Sequence, residues 1–331
     1  MKIGIFSDIH LHKHNSFSGS DGRQRLRDGL GIIEHIVNLL VEKRCDALIF
    51  LGDFFHIRRV MDVEVFNEVD HALTLLPLGK IIHKIAISGN HDWYSSNCDY
   101  TSIGFLRHHG FKVIQKSTVF IEDGIEMVLV PWQPTLILQE TLDNIPYRSD
   151  KAESSLLFVH TIPFGSSSAT GHIFNSGVDL RKYSSRFDVI FCGDIHKRQL
   201  VGQNIVVCGS PMQLNFADIG QECGIHIFNG NSKSWKFCSM KGKYPEFIEV
   251  NTNDPSTIDP ANYYRVITSF PDRFEKLNNI QIVHKRKFVE RKRADITPLT
   301  VPGKAVEEYV KKFGSGFDVD RLIDIGRRAI S

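Results

Sequence analysis

Five times along the chain an apolar, β-rich run ends in Asp, Asn or His. GIFSDIH delivers Asp8 and His10, LIFLGDFFH delivers Asp53 and His56, and IAISGNHD delivers Asn90, His91 and Asp92. LLFVHT then delivers His160, and VIFCGDIH delivers Asp194 and His196. Carboxylate, imidazole and amide oxygen together suit Mn²⁺, Fe or Zn²⁺, and the oxygen-rich mixture favours Mn²⁺. No cysteine belongs to the set, which argues against a structural zinc site. Three of the ligand candidates, Asp8, Asp53 and Asp194, are aspartates, so a pair of divalent ions leaves the centre net positive and able to hold a phosphate. Each stretch alone has a plainer explanation. Gly-Asp at a strand end is often a turn or a helix cap, Asn and Asp favour turns, and a lone His160 is more often a satisfied core histidine. The ordered series D-x-H, G-D-x-x-H, G-N-H-D, V-H and G-x-x-H is what chance does not supply.

The elements that carry these residues alternate. KIGIF, ALIFL, KIAI, MVLV, LLFV, VIFC, IVVC and GIHIF are rich in Val, Ile and Phe, as strands buried on both faces are. Between them, Leu30 to Val41, Val63 to Leu76 and Ser102 to His109 have helical apolar spacing. Strands alternating with helices predict an α/β fold, and in open α/β sheets ligands bind at the C-terminal strand ends. TVFI with EMVLV, and GIHIF with KFCSM, predict antiparallel additions. The expectation is two sheets packed face to face with helices outside.

The 331 residues are 42% hydrophobic and 24% charged, with a formal net charge of +2. That balance is ordinary for a globular chain and confines any nucleic-acid surface to a local patch. The six cysteines are scattered without a C-x-x-C pair, which fits buried reduced thiols in a cytoplasmic protein. The opening MKIGIFSD meets Asp8 before a signal-peptide core can form, and no run approaches a membrane span. Near Gly242 the composition changes. The division expected is residues 1–241, a second domain over 242–296 and a linker with two short amphipathic helices over 297–331.

The ordered motifs resemble the calcineurin-like metallophosphoesterases over roughly Met1 to Met240. Finer features are similar to one branch, the SbcD/Mre-eleven family of DNA-repair nucleases and their phage counterparts. These are GDFFH, VPWQP at Val130 to Pro134, GDIHKRQ at Gly193 to Gln199 and GSPMQLNFAD at Gly209 to Asp218. The resemblance implies a four-layer αββα sandwich with a small α+β capping domain and C-terminal helices. It implies one metal on Asp8, His10, Asp53 and His196, and a second on Asp53, Asn90, His160 and Asp194. It makes His91 the proton donor to the leaving 3′ oxygen, with His56 helping to position the phosphate. At Asp194 the family usually has His; Asp ligates the same ions through oxygen but adds negative charge. Asp92 is expected to orient His91 or to cap the segment after it.

From this follows the expectation of a Mn²⁺-dependent DNA exonuclease and endonuclease, with two Mn²⁺ ions and Mg²⁺ as a weaker substitute. Its partners would be DNA, an SbcC-like coiled-coil ATPase bound by the C-terminal helices, and a second copy paired through Val63–Leu76 and Ser102–His109. The basic stretches HKHNSFSGSDGRQRLR and HKRKFVERKR are candidates for holding backbone phosphates. The alternatives are a small-molecule phosphodiesterase or phosphatase with the same centre, and a scaffold whose second metal site has decayed at Asp194.

Overall fold

The computed structural model describes residues 1–95, 100–146, 148–284, 307, 310, 311 and 318–328. Two compact units divide at His284. The first is built on two six-stranded sheets. One has the order β12-β11-β1-β2-β3-β4 and the other β5-β6-β7-β8-β10-β9. In the first, β1 (Lys2–Phe6), β2 (Ala47–Phe50), β3 (His83–Ile87) and β4 (Lys112–Ile114) run parallel, and the hairpin β11 (Gly224–Asn229) with β12 (Ser234–Ser239) joins them through an antiparallel β1–β11 pairing. In the second, β6 (Ile125–Val130), β7 (Ser154–His160), β8 (Val189–Gly193) and β10 (Ile205–Val207) run parallel. Antiparallel β5 (Thr118–Glu122) and β9 (Gln199–Val201) close its edges.

Strand alternation sets the layers. Ile3, Ile5, Ile49, Ile85 and Ile87 point from the first sheet onto Met127, Leu129, Leu156, Phe158 and Phe191 of the second. The opposite faces, with Phe6, Leu48 and Phe50 on one sheet and Val128, Leu157 and Ile190 on the other, are covered by helices. Helix α1 (Gln24–Glu42) buries Ile33, Ile36, Val37 and Leu40 at helical spacing, and α2 (Val63–Leu75) buries Val65, Val69 and Leu73. Helix α3 (Thr135–Asp143) covers the second sheet with Leu138 and Leu142. The architecture is therefore αββα. Fully burying each such Ile, Leu or Phe stabilises by about 1.5–3 kcal/mol.

Three features bear on the sequence expectations. Ser102–His109 forms 3-10 turns rather than an α-helix, ending at Gly110, whose φ of 80° stops the run. Val65 and Val69, the face of α2 expected to meet a second copy, are spent in the chain's own core. The cations of the 12–27 insertion are also engaged. Lys13 pairs with Asp62 and Glu64, Arg23 with Glu64 and Glu68, and Arg27 with Asp21. That segment thus presents less free charge than its composition suggests.

Residues 247–284 form a small parallel sheet, β13 (Phe247–Asn251), β14 (Tyr263–Thr268) and β15 (Ile280–His284), within the first unit. It is pinned to α1: the Tyr263 hydroxyl donates to Asp28, and Arg25 lies over the rings of Phe247 and Tyr263. Gln213, inside the GSPMQLNFAD stretch, accepts from the Phe247 amide at 2.7 Å. Helix α4 (Val319–Arg328) belongs to the second unit. The basic run after His284, the expected linker and Cys98 lie outside the described residues. Among the described residues Cys45, Cys192, Cys208 and Cys223 are buried and unpaired, and no helix is long and apolar enough to cross a membrane.

Candidate metal centre

The C-terminal ends of β1, β2, β3, β7 and β8 bring the expected residues to one place between the two sheets. Backbone bonds set the first sheet's share: the Asp8 amide donates to the Gly52 carbonyl and the His10 amide to the Asp53 carbonyl, both at 3.0 Å. Two bonds then join the sheets. His160 Nδ1 donates to the Leu51 carbonyl at 2.6 Å, and the Asp194 amide donates to Asp8 at 3.1 Å. Asp8, His10, Asp53 and Asp194 all sit at positive φ (56°, 49°, 61° and 96°). For non-glycine residues that backbone costs on the order of 1–3 kcal/mol each and persists only where the surroundings impose it. Close approach is also demanded of Gly52 (φ 99°) and Gly89, where any Cβ would collide with His160 or Asp53.

The donor atoms gather in overlapping groups, each within 4.8 Å: Asp8 with His10 and His196, and Asp8 with Asp53 and His160. His10 Nε2 lies 3.5 Å from Asp53 and 3.1 Å from His196 Nε2. His160 Nε2 lies 3.5 Å from Asp53 and 3.8 Å from Asp194. Asn90 Nδ2 donates to Asp194 at 3.5 Å, which leaves its Oδ1 turned elsewhere. A third group joins His10, His56 and His91 on the exposed side.

These residues fit divalent cations. His160 Nε2 and Asn90 Oδ1 are buried without a hydrogen-bond partner among the described residues, a costly condition that a ligand relieves. The Leu51 carbonyl holds His160 by Nδ1–H, so Nε2 is the nitrogen turned to the carboxylates and the one an ion would engage in place of a proton, as in metal sites where the other ring nitrogen is held by a backbone oxygen. The Nε2 atoms of His10 and His196, directed at each other, are likewise placed to share an electrophile. Burial raises Asp8 to about 6 and raises Asp194, while Asp53 stays well below the usual range because His160 outweighs its burial. Burial holds His10 well below its ordinary value. His160 lies far above its own, since Asp53, Asp194 and Asp8 overcome its burial. Three acids crowd one imidazole, and positive charge is what the pocket lacks.

Two residues play parts the sequence did not disclose. The buried Asp92 carboxylate accepts from the amides of Asp53 (2.8 Å), Phe54 (3.0 Å) and Gly89 (2.8 Å). It therefore ties the β2 and β3 loops together, a part beyond the expected orienting or capping. His56 is exposed, and its contribution runs through its carbonyl, which accepts from His91 Nδ1 at 2.5 Å. The His91 amide in turn donates to Asp53 at 2.8 Å. Sequence pattern reports none of these bonds, because each acceptor is more than thirty residues from its donor or belongs to the same tight loop.

No curated protein matches the chain. Among solved structures, a novel archaeal phosphodiesterase is 15% identical, with 72% of this chain and 99% of that one covered and a TM-score of 0.38. The protein TT1561 of Thermus thermophilus is 12% identical over 72% and 99% of the two chains, with a TM-score of 0.39. GAP50, the anchor in the inner membrane complex of Plasmodium, is 14% identical over 73% and 85%, with a TM-score of 0.43. A family model for calcineurin-like phosphoesterases matches residues 1–198. That span holds every strand mouth of the centre, and the chain belongs to the calcineurin-like phosphoesterase family.

Proposed function

We propose that the chain is a divalent-metal-dependent DNA nuclease of the SbcD/Mre-eleven type, hydrolysing phosphodiesters. The observation that carries the phosphodiester chemistry is the convergence of Asp8, His10, Asp53, Asn90, His160, Asp194 and His196 at one opening, with His91 on its exposed side. Asp8, His10, Asp53 and His196 would hold one ion, and Asp53, Asn90, His160 and Asp194 the other. When bound, such ions neutralise the phosphodiester and activate the attacking water. Mn²⁺ is the ion that the mixed oxygen and imidazole set favours. His91 would then supply the leaving-group proton as the imidazolium: Nδ1–H is committed to the His56 carbonyl, so the proton passed to the leaving oxygen is the one on Nε2, and the ring is left neutral. General acid help of this kind is worth about 10²–10⁴-fold.

DNA as the substrate is supported by GDFFH, VPWQP, GDIHKRQ and GSPMQLNFAD and by the small sheet seated on α1. On this reading residues 242–296 cap the DNA, and residues 297–331 bind a coiled-coil ATPase. The ion pairing of Lys13, Arg23 and Arg27 favours a second reading, a small-molecule phosphodiesterase that needs no phosphate-tracking groove. Incubation with linear duplex DNA and Mn²⁺, beside bis(p-nitrophenyl) phosphate, separates the two. Mn²⁺-dependent shortening of DNA is the expected result. Turnover of the reporter with intact DNA selects the second reading, and no turnover of either rejects both.

A further inference from the structure

Beyond His91 lies a cavity of about 290 Å³, with the buried Asp92 among its lining residues. Val60, Met61, Phe66, Tyr94 and Tyr100 line it together with His91 itself. Val60 is 71% exposed, Tyr94 56% and Tyr100 79%. Large apolar and aromatic side chains grouped this openly mark a binding surface. Phe66 is braced edge-on by Phe105 at 5.0 Å, so the wall does not depend on an occupant for its shape. Arg59, exposed and with no ion-pair partner among the described residues, lines the same space.

The cavity adjoins the metal centre at His91, which lines the one and stands beside His10 in the other. If His91 protonates the leaving oxygen, the nucleoside carrying that oxygen lies on the His91 side, and its base reaches the cavity. The volume is below the range of drug-sized sites. It has room for one ring system. Aromatic walls that accept a single base without reading its edge are the device of single-strand binders, and a base enters such a space only out of the helical stack.

We propose that this cavity is a stacking subsite for the unstacked nucleobase on the leaving-oxygen side of the scissile bond, with Tyr94 as the principal stacking surface and Arg59 beside the flanking phosphate. The subsite rests on the centre being a DNA phosphodiesterase. It makes frayed or single-stranded ends better substrates than internal duplex.

The test uses the full chain and two readouts. In the first, a dinucleotide carrying 2-aminopurine on the leaving side is titrated into metal-free protein. Its fluorescence should be quenched on binding, Tyr94→Ala should weaken that binding roughly ten- to hundredfold, and Tyr94→Phe should restore it. In the second, kcat/KM with Mn²⁺ is compared for dinucleotides with and without a base at that position. The wild type should prefer the base-bearing substrate by a similar factor, and Tyr94→Ala should bring the ratio towards one. Equal cleavage of both substrates by the wild type leaves the nuclease reading standing and overturns the subsite. Equal loss on both substrates in Tyr94→Ala, or unchanged quenching, also overturns it. So does conversion of a dimer into a monomer by Tyr94→Ala with base preference intact, since the face then belongs to a second copy. Cleavage of neither substrate removes the nuclease reading and the subsite with it.

Discussion

His160 and His91 both border Asp53, one through its ring and the other through its amide, and each commits Nδ1 to a main-chain carbonyl, Leu51 for one and His56 for the other. Their surroundings separate them. His160 is fully buried and its free nitrogen faces Asp53 and Asp194. His91 is half-buried, and its ring borders His10, His56 and the Tyr94 cavity. The same orienting bond thus leaves Nε2 facing crowded carboxylates where burial is complete, and facing an open space where the site opens; on the proposed function the first is a ligand and the second a proton donor. His226 supplies a third case: an imidazole buried against the Cys208 carbonyl, with no acid among the groups that shift it. Burial pushes it down to about 4, whereas His160 is driven up. Burial alone does not make a histidine a ligand; the facing carboxylates do.

The sharpest way to break this contrast is Asp53→Asn, which keeps an acceptor for the His91 amide but removes the charge shared by both halves. Activity is expected to fall further than the roughly 10²–10⁴-fold of a lost general acid, and elemental analysis of Mn²⁺-loaded protein should show fewer bound ions. Full metal content with near-normal turnover would dissolve the distinction between the two sides. His91→Ala comes next: a loss of about 10²–10⁴-fold with metal content unchanged. A variant that loses metal would move His91 into the ligand set.

Stability sharpens the same comparison. Mn²⁺ binding only to the folded state adds about 2.7 kcal/mol at one hundred times its Kd, so the wild-type Tm should rise on Mn²⁺ addition and return on chelation. The rise should survive His56→Ala and vanish in Asp53→Asn. Asp92→Asn should cost about 2–4 kcal/mol in denaturant unfolding, because an amide side chain cannot accept from three buried backbone donors as the carboxylate does. An unchanged midpoint would show that the two loops hold together without it.

The smallest effect concerns the control histidine. His226 has a folded pKa of about 4 against an ordinary value of 6.5. Between those values the unfolded chain takes up a proton that the folded chain refuses, so stability falls as pH drops through that window. The slope from one group reaches about 1.4 kcal/mol per pH unit. His226→Gln should flatten the pH dependence of the metal-free protein by up to that amount. No change in slope would mean that His226 is protonated in the fold, and the contrast with His160 would lose its reference.

Much of the architecture is legible in the sequence because its strands are long and apolar. KIGIF, LLFV and VIFC read as buried strands, and the pairs TVFI/EMVLV and GIHIF/KFCSM read as antiparallel hairpins, which are β5–β6 and β11–β12. The three-residue strands β4 and β9 carry too few residues to show a period. Helix α3 opens on exposed Leu136 and Ile137, which blurs its apolar stripe. Ser102–His109 has helical spacing but only eight residues, and Gly110 closes it.

By itself the sequence determined which side chains stand at the strand mouths, since strand, short loop and polar residue are neighbours along the chain. That places Asp8, His10, Asp53, Asn90, His91, His160, Asp194 and His196 at or just beyond the C-terminal ends of strands and fixes the chemistry of the donor set. Only the tertiary structure decided how they are used. The left-handed backbone at four of them, the Leu51 carbonyl beneath His160 and the three amides on Asp92 arise where loops from different strands meet. So do the pairing of Lys13 with Glu64 and the cavity between residues 57–66 and 91–102. The physical reason is that such bonds join groups far apart in sequence. Their geometry follows from sheet register and from the packing of one sheet on the other, which residue type alone does not encode.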